Sequence, residues 1–394
     1  MAGLIIAPKA RLFHGHDWVY GTEVRTIYGD PQPGDVVTLK DQRDRFLGSA
    51  IFNPKSQIIA RRFSRRKQDL DGDFFARRIS QAVALREERL PGERLARLVW
   101  SESDGLPGLI VDRYGDVLVV QTLTLAMLQR IELICDTLQE LLKPQCILVR
   151  NDSPMLVAEG IEPACYVARG RMPEPFVAAG RGTLFRVDPE LGQKTGLYLD
   201  QMDNYRDVAR LAKGKRVLDC FCNQGGFALA CAKAGAASVT AIDISETAIE
   251  AVRANAELNE VNVETLVANV FDFLKLESEA VRAGEAPKWD LIILDPPSFT
   301  RNRKSLNGAM RGYKEIHLRA MQMLPVGGIL STFCCSHHIS TPLFRQVIAE
   351  AAVDGHSTLR LLASHGQSAD HPILLNIPET EYLKGFTFEM VPGR

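Results

Sequence analysis

The sequence has no run of about 20 apolar residues, so it predicts no membrane-spanning helix. Its first residues, MAGLIIAPKARLF, contain only a short apolar stretch with no charged segment before it, which does not match a secretory signal. We therefore expect a cytoplasmic protein. The eight cysteines contain no paired C-x-x-C motifs, so we expect neither a disulfide framework nor a structural metal.

Two common nucleotide-binding motifs are also missing. There is no complete G-x-G-x-x-G, which argues against a dinucleotide site, and no G-x-x-x-x-G-K-[ST], which argues against a nucleoside triphosphate site. Any nucleoside ligand must therefore be recognised in another way.

The composition is that of an ordinary globular protein, with 46% hydrophobic and 24% charged residues in 394 positions. The net charge is −1, but residues 1–72 contain 12 Lys or Arg against 8 Asp or Glu. Most of this excess lies in segment 61–67, RRFSRRK, where five cations surround an aromatic residue. Such a cluster suits contacts to phosphates and a base, although a solvated strand end would look the same.

The first 180 residues predict two small modules. Residues 1–72 contain short β-type segments between turn residues, typical of a small barrel or sandwich. A helix at 73–90 leads into a strand-rich middle with one further helix at 126–142. Prolines and glycines between 160 and 182 mark a boundary. We predict domains at 1–72, 73–182 and 183–394.

The third domain alternates strands and helices, a pattern typical of a parallel sheet covered by helices on both faces. The expected strands are 216–219, 238–243, 264–267, 291–295 and 329–333. The expected helices are 227–233, 246–258 and 313–324. The predicted fold class is therefore α/β.

Polar residues follow each of these strands, where open α/β sheets bind their ligands. They are Asp219 with the turn at Gly225, then Asp243, Asn269, Asp295 and Cys335. A glycine turn and an acid after the second strand indicate an adenosine site, in which Asp243 accepts hydrogen bonds from ribose hydroxyls. With the other nucleotides excluded, S-adenosylmethionine is the expected cofactor. An ordinary Rossmann-like domain with a glycine turn is the alternative.

Asp295 begins the motif Asp-Pro-Pro-Ser, a rigid turn because two prolines fix φ and remove two donors. In a methyltransferase this turn could hold an amine or the edge of a base. Cys335 favours a base, because addition of a thiolate to C6 of a pyrimidine activates C5 as a nucleophile. An amine target would need no thiol.

Several motifs together resemble the ribosomal RNA large subunit methyltransferase I family. They are KTGLYLDQ at 194–201, the 219–226 turn, DPPSF at 295–299, RGYK at 311–314, TFCCS at 332–336, ADHP at 369–372 and YLKGF at 382–386. The segments GHDWVY at 15–20 and NPKSQI at 53–58 look like the N-terminal PUA domain of that family.

The resemblance implies a Rossmann-like class I methyltransferase domain, an N-terminal PUA β-barrel that binds RNA and a small α+β middle domain. It also implies 5-methylcytosine formation in 23S ribosomal RNA, with that RNA as the partner and no membrane. The oligomeric state stays open, with a homodimer among the options.

The resemblance further implies roles for single residues. Cys335 matches the catalytic thiol and Asp295 the acid beside the base. The implied cofactor-binding residues are Asp200, Gln201, Asp219, Gly225, Asp243, Asn269 and Asp295. Two positions depart from the family pattern: Asn269 replaces an acidic residue expected at the adenine, and His337-His338 replace Gly-Leu after the catalytic motif.

Other interpretations stay open beside this one. Cys220 and Cys334 are expected to be buried core residues, and His337 and His338 are not expected to hold a metal, because neighbours on a strand end point to opposite sides. The alternative functions are an RNA N-methyltransferase that uses the Asp-Pro-Pro-Ser turn and a non-catalytic RNA-binding factor in ribosome assembly.

Overall fold

The protein is described by a computed structural model that covers residues 2–153, 156–174, 176–187, 196–300 and 305–393. Lys194 and Thr195 of the KTGLYLDQ motif lie outside these residues. The chain forms two compact units. The first comprises Met1–Gly180, Val187–Leu199 and Ala369–Thr380, and the second comprises Arg181–Arg186, Asp200–Ser368 and Glu381–Arg394.

The first unit begins with an N-terminal sheet in which six described strands pair in the order β2-β6-β5-β4-β1-β3. The strands are β1 (Gly3–Ile6), β2 (Trp18–Val19), β3 (Val24–Tyr28), β4 (Val36–Lys40), β5 (Phe46–Phe52) and β6 (Ala60–Ser64). β1 pairs in parallel with β4 and antiparallel with β3. The sequence pattern missed β1 and β3 and ended the last strand at residue 60, where β6 begins.

A second sheet in the same unit has the order β11-β10-β9-β8-β7 among the described residues. Its strands are β7 (Leu95–Trp100), β8 (Leu109–Tyr114), β9 (Val117–Thr122), β10 (Cys146–Asn151) and β11 (Ala164–Gly170). The helices are α1 (Gly72–Arg89), α2 (Leu125–Leu128), α3 (Ile131–Leu142) and α4 (Leu156–Glu159). The single helix expected at 126–142 is thus two helices. The division into three domains stays a prediction.

The second unit contains a sheet with the order β16-β15-β14-β17-β18-β20-β19. Its strands are β14 (Arg216–Cys220), β15 (Ser238–Asp243), β16 (Glu264–Val267), β17 (Leu291–Leu294), β18 (Ile329–Cys334), β19 (Thr358–Gly366) and β20 (Lys384–Val391). The five predicted strands are parallel to one another. The pattern missed β19 and β20, and β20 lies antiparallel between β18 and β19. Two short strands, β12 (Val177–Gly180) and β13 (Thr183–Arg186), precede this sheet in the chain.

Helices connect these strands. They are α5 (Met202–Ala209), α6 (Gly226–Lys233), α7 (Glu246–Leu258), α8 (Val270–Arg282), α9 (Leu306–Met323) and α10 (Thr341–Asp354). α7 has the predicted bounds, and its N-cap Ser245 accepts a hydrogen bond from the Ala248 N–H.

Hydrophobic cores cover both faces of the sheet in the second unit. In β14, Leu218 and Cys220 belong to one core and Val217 to the other, because successive side chains of a strand point to opposite faces. Burial on both faces explains the nearly continuous apolar sequence of the central strands. In the part of the chain that the structure describes, no helix is long and apolar enough to cross a membrane.

Candidate active site

The predicted site residues of the strand ends meet at one edge of the sheet in the second unit. Cys220 is level with Ile242 and with Leu294, and Leu294 is level with Thr332. The chain therefore leaves β14, β15, β17 and β18 at the same edge. Asp219, Asp243, Asp295 and Cys335 occupy the last positions of these strands or the first positions beyond them.

The turn between β14 and α6 has an unusual backbone. Phe221, Asn223 and Gly225 all have positive φ, of 63°, 46° and 86°. Positive φ is uncommon for residues with a side chain, and such strained positions cluster at functional sites. A Cβ on Gly226 would lie 2.3 Å from the Tyr205 ring, so only glycine fits there. The turn thus brings bare backbone to the sheet edge just before a helix begins.

Asp219 is buried beneath this turn. Its Oδ2 accepts a hydrogen bond of 3.0 Å from the Ala228 N–H, while its Oδ1 is buried with no hydrogen-bond partner among the described residues. Burial raises the pKa of Asp219 well above its ordinary value, and the nearby carboxylates Asp295 and Asp243 raise it further. A cationic ligand group at Oδ1 would relieve both the missing hydrogen bond and the repulsion.

Asp243 is the last residue of β15, and Asn269 lies two positions beyond the end of β16. Asp243 accepts hydrogen bonds of 3.0 Å from the Asn223 N–H at Oδ2 and from the Ser245 N–H at Oδ1. Asn269 is exposed, and as the N-cap of α8 it accepts a 2.9 Å hydrogen bond from the Phe271 N–H. Each oxygen has a second lone pair, so both side chains can still accept a hydrogen bond from a nucleoside.

Asp295 lies beyond β17 and is fixed by Gln201, whose Nε2 donates a 3.0 Å hydrogen bond to Oδ2. The Gln201 Oε1 in turn accepts a hydrogen bond of 2.7 Å from Asn204. The neighbouring Asp200 accepts a 2.6 Å hydrogen bond from the Tyr382 hydroxyl. Gln201 and Asp200 are both buried, and Gln201 orients the Asp295 carboxyl.

The two cysteines at the end of β18, Cys334 and Cys335, have different surroundings. Cys334 is fully buried in the core, whereas Cys335 is partly exposed. Cys220 is also fully buried, which confirms the expectation for it and for Cys334, and burial raises its pKa well above the ordinary value. His337 and His338 are both exposed, and the His337 ring lies 5.4 Å from the Tyr382 ring.

Sequence reasoning assigned no role to Lys384, although it stands in the YLKGF motif. Its Nζ donates hydrogen bonds of 2.6 Å to the carbonyls of Ser336 and Ile339, just after Cys335. The available signal was a lysine at the start of an apolar segment. It was missed because β20 itself was not predicted.

The predicted RNA contacts in segment 61–67 need correction. Arg61 and Arg62 lie on β6 and form ion pairs of 2.6 Å with Glu102 and Asp17, and Arg62 is buried. Although burial raises the pKa of Glu102, Arg61 and further hydrogen bonds lower it overall, so the pair is ionised. These two arginines therefore stabilise the fold. Arg65, Arg66 and Lys67 are exposed and remain candidates for RNA contacts.

Comparisons with known proteins decide the family. Residues 106–366 match S-adenosylmethionine-dependent methyltransferases, and residues 7–65 match a PUA-like domain. The chain is 41% identical to the ribosomal RNA large subunit methyltransferase I of Shewanella denitrificans, over 94% of both chains. The chain belongs to the ribosomal RNA large subunit methyltransferase I family. The enzyme of that name from Erwinia tasmaniensis is 39% identical, over 98% of this chain and 99% of its own.

A solved structure supports the fold. A chain described as a SAM-dependent methyltransferase from Streptococcus mutans superposes with a TM-score of 0.82 over 99% of this chain and 100% of its own, at 21% identity. The Rossmann-like methyltransferase sheet and the N-terminal PUA-like domain expected from the sequence are thus confirmed for this family member.

The cofactor of this family member is S-adenosylmethionine, and the residues present fit it. The unpartnered Asp219 Oδ1 suits its ammonium group, and the turn at Gly225 brings backbone to the sheet edge just before α6 begins. Asp243, at the next strand end, has the acceptor capacity that ribose hydroxyls need.

Proposed function

We propose that this chain transfers a methyl group from S-adenosylmethionine to carbon 5 of a cytosine in 23S ribosomal RNA, with Cys335 as the nucleophile. The names of its relatives support ribosomal RNA as the substrate. The PUA-like domain supports an RNA-binding role for the N-terminal module. We further propose that the enzyme works in the cytoplasm, where its substrate is made.

The observation that carries the proposal is the position of Cys335. Of the cysteines at the ends of β14 and β18, Cys220, Cys222 and Cys334 are buried, and Cys335 alone among these is partly exposed. It follows β18, which pairs with β17, and Asp295 is the first residue after β17. A methyltransferase acting on an amine would have no use for this thiol.

The cofactor site belongs to the residues around the first two strand ends. Asp219 and the backbone at Gly225 would hold the amino acid end, Asp243 the ribose and Asn269 the adenine. Asp200 and Gln201 would also belong to this site, and Gln201 would orient Asp295 through its hydrogen bond. When bound, S-adenosylmethionine supplies an electrophilic methyl group.

The chemistry at the base then follows from Cys335 and Asp295. The target cytosine must leave its stack, because C6 is not accessible to a thiolate within a helix. The Cys335 thiolate forms a bond to C6, and the carboxyl of Asp295 gives a proton to N3, so that C5 becomes nucleophilic. After C5 carries the methyl group, a base removes the C5 proton, Asp295 takes back the N3 proton, and the C6–sulfur bond breaks to release the Cys335 thiolate.

The proposal is tested with a transcript of 23S ribosomal RNA that contains 5-fluorocytidine. Fluorine at C5 cannot leave as a proton does, so the bond between Cys335 and C6 persists after methyl transfer. We expect the wild-type protein to form an RNA adduct that survives denaturation, and to do so only when S-adenosylmethionine is present. Cys335→Ser should form no adduct.

Cys334→Ser is the matched control, since it changes the adjacent thiol and leaves Cys335 in place. Both variants are first checked for binding of S-adenosylmethionine by calorimetry, so that a folding defect is recognised. Normal methylation by a folded Cys335→Ser would overturn the thiol mechanism and favour the N-methyltransferase alternative. Cofactor binding without any methylation by the wild-type chain would favour the non-catalytic alternative.

A further inference from the structure

Lys384 is a buried cation beside the segment that carries the proposed nucleophile. It is 7% exposed and opens β20, where it is level with Cys334 of β18. No described carboxylate forms an ion pair with it, and its ammonium instead donates to two backbone carbonyls. A buried charge that lacks an opposite charge is costly, and a methionine of similar length would avoid that cost.

The two carbonyls belong to the loop that follows Cys335. Lys384 Nζ lies 2.6 Å from both the Ser336 and the Ile339 oxygens, and the Ile339 N–H also donates to the Ser336 oxygen. Lys384 therefore fixes the loop 335–340 at Ser336 and at Ile339, which lie on the two sides of its turn. An ammonium has three N–H donors, so one donor remains for a further acceptor.

The charge of Lys384 acts on the thiol as well as on the loop. Burial lowers the pKa of Lys384, whereas negative charge on Cys334, Cys335 or Glu381 raises it. The interaction is reciprocal, so a positive Lys384 favours the thiolate form of Cys335. Two other groups also act on Cys335. Tyr313 on α9 interacts with Cys335 and with Asp295, and an ionised Tyr313 or Asp295 would disfavour the thiolate.

His337 and His338 are weaker candidates for stabilising the thiolate. Both side chains are exposed, where water screens their charge. Lys384 is buried, so its field reaches Cys335 with less screening.

We propose that Lys384 is the positioning residue of the nucleophile: its buried ammonium fixes the loop after Cys335 and stabilises the Cys335 thiolate for attack and for departure. This inference rests on the proposed function for its role in methyl transfer. The coupling between the two side chains is measurable without RNA.

The test is the pH dependence of alkylation by iodoacetamide, read at each cysteine by peptide mass mapping. Cys165 is exposed and serves as the internal reference, while six of the other cysteines are buried. In the wild-type protein we expect the alkylation midpoint of Cys335 to lie below that of Cys165. Lys384→Met should raise the Cys335 midpoint by about one pH unit and leave Cys165 unchanged.

Lys384→Gln is a second neutral variant that can still donate a hydrogen bond to one carbonyl, and it is used if Lys384→Met does not bind S-adenosylmethionine. Lys288→Met removes a charge from an exposed lysine and should move neither midpoint. An unchanged Cys335 midpoint in a folded Lys384 variant overturns the inference. A wild-type Cys335 midpoint at or above that of Cys165 does so even if no variant folds.

Catalysis gives an independent reading. At pH 7, Lys384→Gln should lower kcat about tenfold with an unchanged KM for RNA, and part of the loss should recover at higher pH as the thiolate returns. A purely structural role would not recover with pH. If Cys335→Ser still methylates RNA, the proposed function fails while the alkylation result stands, so the two failures are distinguishable.

Discussion

Asp243 offers the most direct test of the cofactor site at the scale of a single residue. Its two oxygens already accept backbone N–H groups from Asn223 and Ser245, which orient the carboxylate at the strand end. Asp243→Asn replaces one acceptor oxygen by a donor and removes the charge. We expect the affinity for S-adenosylmethionine, measured by calorimetry, to fall by at least about tenfold.

Asp272→Asn is the matched control for this substitution. Asp272 is an exposed carboxylate in the first turn of α8, outside the strand ends. It should bind the cofactor as the wild-type protein does. Equal affinities of Asp243→Asn and Asp272→Asn would remove Asp243 from the site.

Single residues also show what a sequence can and cannot reveal. The placement of Asp219, Asp243 and Asp295 at one sheet edge could be predicted, because a strand end has a local sequence pattern and parallel strands end at the same edge. Arg61 and Arg62 were misassigned because their partners Glu102 and Asp17 lie 41 and 45 positions away in the sequence. Local sequence cannot distinguish a paired arginine from a free one.

At the scale of elements, His317 connects α9 with β18. Its Nδ1 lies 2.6 Å from the Tyr313 carbonyl and must donate, so Nε2 accepts the 2.8 Å hydrogen bond from the Thr332 hydroxyl. This arrangement requires a neutral ring, and burial lowers the pKa of His317 to about 4. The histidine is thus a structural one.

The lowered pKa of His317 predicts acid sensitivity. In the unfolded chain this histidine has an ordinary pKa near 6.5. Between about pH 6.5 and 4 it therefore binds a proton in the unfolded state but not in the folded state. This contribution to the free energy of unfolding is fully present above pH 6.5 and is lost as the pH falls towards 4, by about 3 kcal/mol in all. His317→Gln should be less stable at pH 7.5 but lose less stability on acidification.

Calorimetric unfolding of both proteins at matched pH values measures this difference, because the other titrating groups contribute equally to each. Parallel losses of stability in the wild-type protein and in His317→Gln would contradict the assignment. Cofactor is left out of both samples, since ligand binding would change the apparent stability.

Elements differed in how visible they were in the sequence. The central parallel strands of the second unit, such as β17 and β18, stand out because burial on both faces makes them apolar. β20 was missed because its first residues include a lysine and a glycine, and its neighbours β18 and β19 are set by distant parts of the chain. In the first unit, β1 is only four residues long and its pattern is correspondingly weak.

At the scale of the whole molecule, the exposed cations that remain in the N-terminal module bear on RNA affinity. They are Arg65, Arg66 and Lys67. Changing all three to Gln should weaken RNA binding and reduce the slope of log affinity against log salt by about 0.7 to 0.9 for each phosphate that is no longer neutralised. Binding of S-adenosylmethionine should not change.

The control for this experiment changes three exposed cations of the second unit to Gln, which alters the net charge equally. They are Lys275, Arg282 and Lys288. Their removal should leave the salt slope closer to that of the wild-type protein. If the two triple variants have the same slope, segment 65–67 does not bind RNA and the binding surface lies elsewhere.

The central claim is that this chain makes 5-methylcytosine, and product analysis tests it most directly. The purified full-length protein is incubated with 23S ribosomal RNA transcribed without modifications and with S-adenosylmethionine that carries a deuterated methyl group. The RNA is then digested to nucleosides for mass spectrometry. We predict the label in 5-methylcytidine with the wild-type protein and none with Cys335→Ser. Label in an N-methylated nucleoside instead would contradict the account.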